Sequence, residues 1–201
     1  MPTERKNTQT RREEALIAAI TIIHNEGIHN LTLRRVAEGL GISEAALFRH
    51  FKDKEDLIDL LASKVCDQYM VREPEDGEDV EVGLLAMMTA QFFSFQGAPE
   101  VTSVLFQEEI FREYPAIKER FDNRQHQRAD WIARMVRNAQ AKHQAARDVD
   151  PEVFALIYMG AMRNAVVEWR SDGCASDLLG KAAPLHSHLV RVLQEAGSHN
   201  E

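Results

Sequence analysis

The segment that most constrains this chain is Leu33 to Lys54, LRRVAEGLGISEAALFRHFKDK. Leu33, Val36, Ala37 and Leu40 recur at helical spacing and predict one short amphipathic helix. Gly41 stops it, because glycine turns the chain through a left-handed conformation without strain. A second helix follows almost at once: Ser43 can accept an orphan amide of its first turn, and Leu47 and Phe51 fall four apart on its inner side. A small residue where the helices touch (Ala37), a glycine four positions on and an apolar residue (Leu47) six further on describe a helix-turn-helix. The same three residues can also occur in any helical hairpin, so the flanks matter.

Upstream, Thr10 and Glu13 read as a capping box, Leu16, Ile17, Ile20 and Ile23 as an apolar stripe, and Gly27 as a stop. This first helix is needed structurally, since helices as short as 33–40 and 43–51 hold shape only by sharing a core. Asp53 is placed to cap a fourth helix, KEDLIDLLASKVCDQYM, with Leu57, Leu60, Leu61, Lys64 and Val65 on its buried face. Pro74, Gly77 and the acids of Arg72–Asp79 predict a surface loop. Val80 to Gln96 is an apolar helix stopped by Gly97, and Pro99 suits the first turn of the next. Pro115 opens a long helix to about Ala146, Asp150-Pro151 starts another to about Ser171, and Asp172-Gly173 ends it. A last helix is expected over Ser176–Ala196, with a break near Pro184. No strand-like alternation or repeat occurs.

The stretch from Phe48 to Leu57, FRHFKDKEDL, preceded by a helix ending in Gly27 and by Leu31-Thr32-Leu33, closely resembles the DNA-binding domain of the tetracycline-repressor (TetR) family of bacterial transcriptional regulators. The resemblance covers about residues 10–62; beyond it only length and helical layout agree. It implies an all-α chain of about nine helices, with a three-helix DNA-binding domain over residues 1–52 and a helical effector-binding and dimerisation domain over 53–201.

Net charge is −8, yet residues 1–54 hold nine Lys/Arg against seven Asp/Glu, which leaves −10 on the remainder and puts the phosphate-facing end at the N-terminus. Arg5 and Lys6 in the polar tail can reach a phosphate or a minor groove. The second motif helix is expected in the major groove, which admits a helix and displays a distinct pattern for each base pair. Its leading residues are Ser43, Glu44, Ala45 and Ala46: the hydroxyl can donate or accept, the carboxylate can accept from cytosine, and the methyls can touch thymine. Glu44 is alternatively a first-turn acid favoured by the helix dipole. The family resemblance implies phosphate contacts from Thr32, Arg49, His50 and Lys54, with the backbone amide of Thr32 or Leu33 adding another. The family usually has Tyr where this chain has Phe48; the missing hydroxyl puts a phosphate contact there in doubt, with packing as the other role. Arg34 and Arg35 are alternatives, with a solvated face as their default.

One head makes few base contacts, so a homodimer on a roughly palindromic operator is expected, with heads about 34–36 Å apart. Ile157, Gly160, Ala161 and Asn164, and then Leu185, Leu189, Val192 and Ala196, mark the candidate dimer faces. The resemblance further implies an effector pocket. Met88, Phe92, Phe106, Phe111, Phe121, Gln125, Arg128, Trp131, Met135, Met159 and Met162 are its candidate lining, though such stripes also build plain cores, and a buried Arg128 needs a partner.

A hydrophobic content of 44% with 28% charged residues describes a globular chain. No run approaches the roughly 20 apolar residues of a membrane span, and the polar start lacks a signal-peptide core, which predicts a cytoplasmic, nucleoid-associated protein. Cys66 and Cys174 lack metal or redox spacing and are expected as buried free thiols; His186 and His188 point to different sides of a helix, so no metal site or cofactor is predicted. Nucleophile elbow, phosphate loop and paired carboxylates are missing, which argues against an enzyme. The expected function is a ligand-responsive repressor; the alternative is an architectural or cell-division DNA-binding protein of the same fold without an effector.

Overall fold

The computed structural model describes residues 8–69, 79–106 and 112–195, and is all-α, with no strand among these residues. The basic tail, the loop before Asp79, Phe111 and Ala196 lie outside them. Nine helices are described: α1 (Thr8–Glu26), α2 (Leu33–Gly39), α3 (Glu44–Leu47), α4 (Lys54–Tyr69), α5 (Val80–Gly97), α6 (Pro99–Leu105), α7 (Pro115–Ala141), α8 (Pro151–Ser171) and α9 (Ala182–Glu195). Short 3-10 turns occur at Ile28–Asn30 and Leu179–Lys181.

The chain divides into two compact units. The first contains α1 to α4, α6 and α7 as far as Phe121. Ala15 and Ala19 are fully buried where α1 meets its neighbours, beside Leu16 and Ile23. Thr10 already lies inside α1, so it does not cap it; Gln9 Nε2 donates to Glu13 Oε1 at 3.5 Å instead. Ile17 stays 66% exposed, outside the buried stripe. α4 buries Leu57, Ile58, Leu61, Ala62, Val65 and Cys66, a face rotated from the expected one that leaves Lys64 exposed. Arg12 lies over the Phe51 ring at 4.9 Å and reaches Asp56 at 3.3 Å, joining the motif to α1 and α4 by a cation–π contact and an ion pair. His24 Nδ1 and Ser103 Oγ, 2.9 Å apart, link α1 to α6.

The second unit contains α5, α7 from Asp122, α8 and α9. Tyr158 and Trp169 are its largest fully buried side chains. The Tyr158 hydroxyl donates to Leu84 O at 3.0 Å and lies 3.1 Å from His186 Nδ1. With its one proton given to the carbonyl, the hydroxyl accepts from a protonated Nδ1. His186 is buried and His188 exposed, as their spacing requires. α7 stops at Ala141, five residues before the expected end, because His143 adopts φ 58 and closes a Schellman motif through Gln144 N to Ala139 O at 2.8 Å. α9 begins at Ala182, so Pro184 sits in its first turn and no break occurs there. Cys66 is buried and Cys174 half-buried, and neither forms a disulfide.

Candidate nucleic-acid interface

Local chemistry builds the motif at each joint. Thr32 Oγ1 accepts from Arg35 N at 3.1 Å and starts α2. α2 ends in a complete Schellman motif: Gly41, at φ 65, donates to Glu38 O at 3.1 Å, and Ile42 N donates to Ala37 O at 3.0 Å. Ser43 Oγ accepts from Ala46 N at 3.2 Å, so α3 starts at Glu44, three residues after Gly41. Ala37 and Leu47, 1% and 0% exposed, lock the two helices together. α3 is short, ending at Leu47, but Phe51 N still reaches Leu47 O at 3.1 Å, so the chain turns on to Phe51. Asp53 then caps α4 through Asp56 N at 2.8 Å, while Asp56 accepts from Lys52 N at 3.0 Å.

The result is a short, capped helix with an outward face. Ser43, Glu44, Ala45 and Arg49 are exposed, Ala46 is half-buried, and Thr32 and Lys52 are exposed nearby. His50 and Lys54 are half-buried; His50 Nδ1 is buried and has no hydrogen-bond partner among the described residues. The Leu33 side chain is core, leaving only its amide for a ligand. Phe48 is 50% exposed and is not a core residue, against a purely packing role. Arg34 pairs with Glu38 at 3.0 Å, and Arg35 forms a two-pronged pair with Glu26 that ties α2 to α1. Both guanidinium groups are thus held by acids of their own unit.

On α8, Ile157 is 54% exposed, Gly160 and Asn164 are exposed and Ala161 is half-buried. Leu156 (72%), Val153 and Val167 extend the exposed apolar surface, residues that the small-residue pattern did not single out. On α9, Val192 is exposed while Leu185 and Leu189 are half-buried. A groove of about 540 Å³ runs between α8 and the start of α9, lined among others by Ala161, Asn164, Leu185 and His188 and bridged by Lys181 and Glu168 at 3.2 Å.

Of the candidate effector-site residues, Met88, Phe92, Arg128, Trp131, Met135 and Met162 are buried in the second unit, with Gln125 and Met159 half-buried. Phe106 and Phe121 belong to the first unit. Gln91, 2% exposed, is a further buried polar residue that stripe counting missed, because it falls among the phenylalanines of α5.

Residues 15–61 match the profile of the bacterial regulatory proteins, tetR family. Tetracycline repressor protein class C of Escherichia coli is 36% identical over 70 residues, 34% of this chain and 32% of that protein. An HTH-type transcriptional regulator of Staphylococcus aureus (strain USA300) is 40% identical over 53 residues, 26% of this chain and 29% of that one. The chain thus spans about a third of the length of the curated relatives it matches. Over nearly its whole length the fold is that of a TetR-like transcriptional regulator from Rhodococcus sp. RHA1, with TM-score 0.78, 16% identity and coverage of 95% of this chain and 100% of that one. It is also similar to the transcriptional regulator FadR of Bacillus subtilis in complex with stearoyl-CoA, with TM-score 0.71, 17% identity and coverage of 90% and 98%. The Gly41 turn and Ser43-capped helix lie inside the matched segment, and the helical fold of the described residues continues beyond it: this chain carries the DNA-binding domain of the TetR family of bacterial transcriptional regulators within a TetR-like fold.

Proposed function

We propose that this chain is a sequence-specific DNA-binding transcriptional regulator, a homodimeric repressor that leaves a roughly palindromic operator when a small hydrophobic or amphipathic effector binds. One observation carries the reading: α3 is capped, packs on α2, which in turn packs on α1, and turns Ser43, Glu44 and Ala45 outward beside Arg49 and Lys52. In this reading residues 1–52 bind DNA, and residues 53–201 bind effector and dimerise. Thr32, Arg49, His50 and Lys54 hold phosphates, while Ser43 to Ala46 face base edges.

Pairing through α8 and α9 is supported by the exposed Val153, Leu156, Ile157 and Val192, an apolar surface that a second copy would cover. An effector role for the second unit is supported by the large, adaptable apolar side chains it buries, Trp131, Met135 and Met162; a regulator of the same fold holds stearoyl-CoA. The protein acts in the cytoplasm at the nucleoid and is not an enzyme, in keeping with its family; among the described residues no helix is long and apolar enough to cross a membrane. The complete burial of Met88 and Phe92 also suits a plain core, and so an effector-free architectural or cell-division regulator. A thermal-shift screen with acyl and aromatic compounds separates the two, stabilisation by any compound favouring the repressor.

Binding to a selected duplex across a salt series tests the DNA reading. His50→Ala with Lys54→Ala is expected to weaken all sequences alike and flatten the salt slope, whereas Ser43→Ala or Glu44→Ala changes sequence preference. Unchanged binding in both sets rejects the assignment.

A further inference from the structure

Resting on the DNA-binding reading above, we propose that Phe48, together with Ala45, determines specificity by reading thymine C5-methyl groups in the major groove. From Ser43 to Phe48 the chain carries no Arg, Lys, Asn or Gln, the side chains that form two-pronged pairs with guanine or adenine. Base reading from this segment therefore falls to a hydroxyl, a carboxylate and apolar groups. Phe48 follows Ala45 by three residues, so the two project from one face.

Burial sets Phe48 apart from its neighbours. Leu47 and Phe51 are 0% and 1% exposed, whereas Phe48 leaves 50% of its surface in water. A lone exposed phenyl ring is ordinary on a protein surface. This one shares a face with Ala45 and adjoins the exposed Arg49, and the same short helix carries the carboxylate of Glu44, which a phosphate would repel. A phenyl ring cannot donate to a phosphate oxygen; among base edges, its favourable partner is the thymine methyl, the apolar group that the major groove displays. Glu44 complements it by accepting from the cytosine amino group, so the face reads pyrimidine features.

The test uses the full-length protein and a duplex selected from a random library. Each thymine in the half-site is replaced in turn by uracil, which deletes only the methyl group, and affinity is measured by fluorescence anisotropy at fixed salt. At least one replacement is expected to weaken wild-type binding about four-fold, the effect of exposing one apolar carbon. Phe48→Ala should lose that sensitivity, and Phe48→Tyr, which keeps the ring, should retain it; circular dichroism checks that both fold. The proposal is overturned if wild type binds the duplex yet every uracil replacement changes affinity less than about two-fold, or if Phe48→Ala is as sensitive as wild type. Failure to enrich any sequence would instead remove the DNA-binding reading, and this inference with it.

Discussion

Gly39 and Gly41, two residues apart, should respond to alanine with opposite signs. Gly41 has φ 65, and a Cβ built there meets nothing within 4 Å, so the cost of Gly41→Ala is backbone strain alone. An L-residue in that conformation costs about 1–2 kcal/mol. Gly39 is the last residue of α2, and its Cβ would lie 3.9 Å from Ala18 Cβ, an ordinary contact. Alanine is favoured over glycine in a helix by about 0.5–1 kcal/mol, so Gly39→Ala should stabilise. The two variants should differ by about 2 kcal/mol, about thirty-fold in local opening. Trp131 and Trp169 both lie in the second unit and do not report on the motif. Amide exchange at Ile42, whose N–H donates to Ala37 O at 3.0 Å, does report on it. Equal exchange in the two variants, or slower exchange in Gly41→Ala than in wild type, would refute the argument.

Three further outcomes are expected. Tyr158→Phe leaves the buried His186 Nδ1–H without its acceptor and should lower stability by about 1–3 kcal/mol, read from urea unfolding followed by tryptophan fluorescence. Burial lowers the His186 pKa below its usual 6.5, with Glu81 partly opposing; the unfolded chain then binds the proton first, so this contribution is full above pH 6.5 and falls as pH drops below it. His186→Gln should flatten that part of a pH–Tm profile, and an unchanged profile would contradict the assignment. Leu156→Glu with Ile157→Glu, both exposed in the single chain, should leave helicity intact while light scattering shifts from dimer to monomer mass; a retained dimer would count against the α8 face.

What could be read from sequence was whatever a residue decides with its near neighbours. Gly41, Ser43, Asp53 and Asp150 act within a few residues of themselves, and their side-chain or turn hydrogen bonds mark the starts and stops of helices. Where the local signal was shared, it misled. Thr10 and Glu13 have capping-box spacing, but Thr8 and Gln9 are already helical, and α1 includes Thr10. The end of α7 was hidden because His143, not glycine, takes the left-handed position. Burial was legible only as periodicity: the α7 series Ile117, Phe121, Arg128, Ile132, Met135 and Ala139 is buried throughout, yet Ile17, Phe48 and Leu156 are exposed although apolar. Which apolar residues stay outside depends on elements distant in sequence, and on what the protein binds.

The central claim is that α3 meets duplex DNA in the major groove from two subunits at once. Selection from a random duplex library with the purified protein tests it most directly. The account predicts an enriched, roughly palindromic sequence whose half-site centres lie about 10–10.5 base pairs, or a multiple of that, apart. A pool that shows no enrichment after repeated rounds, or that yields only single half-sites without symmetry, would contradict it.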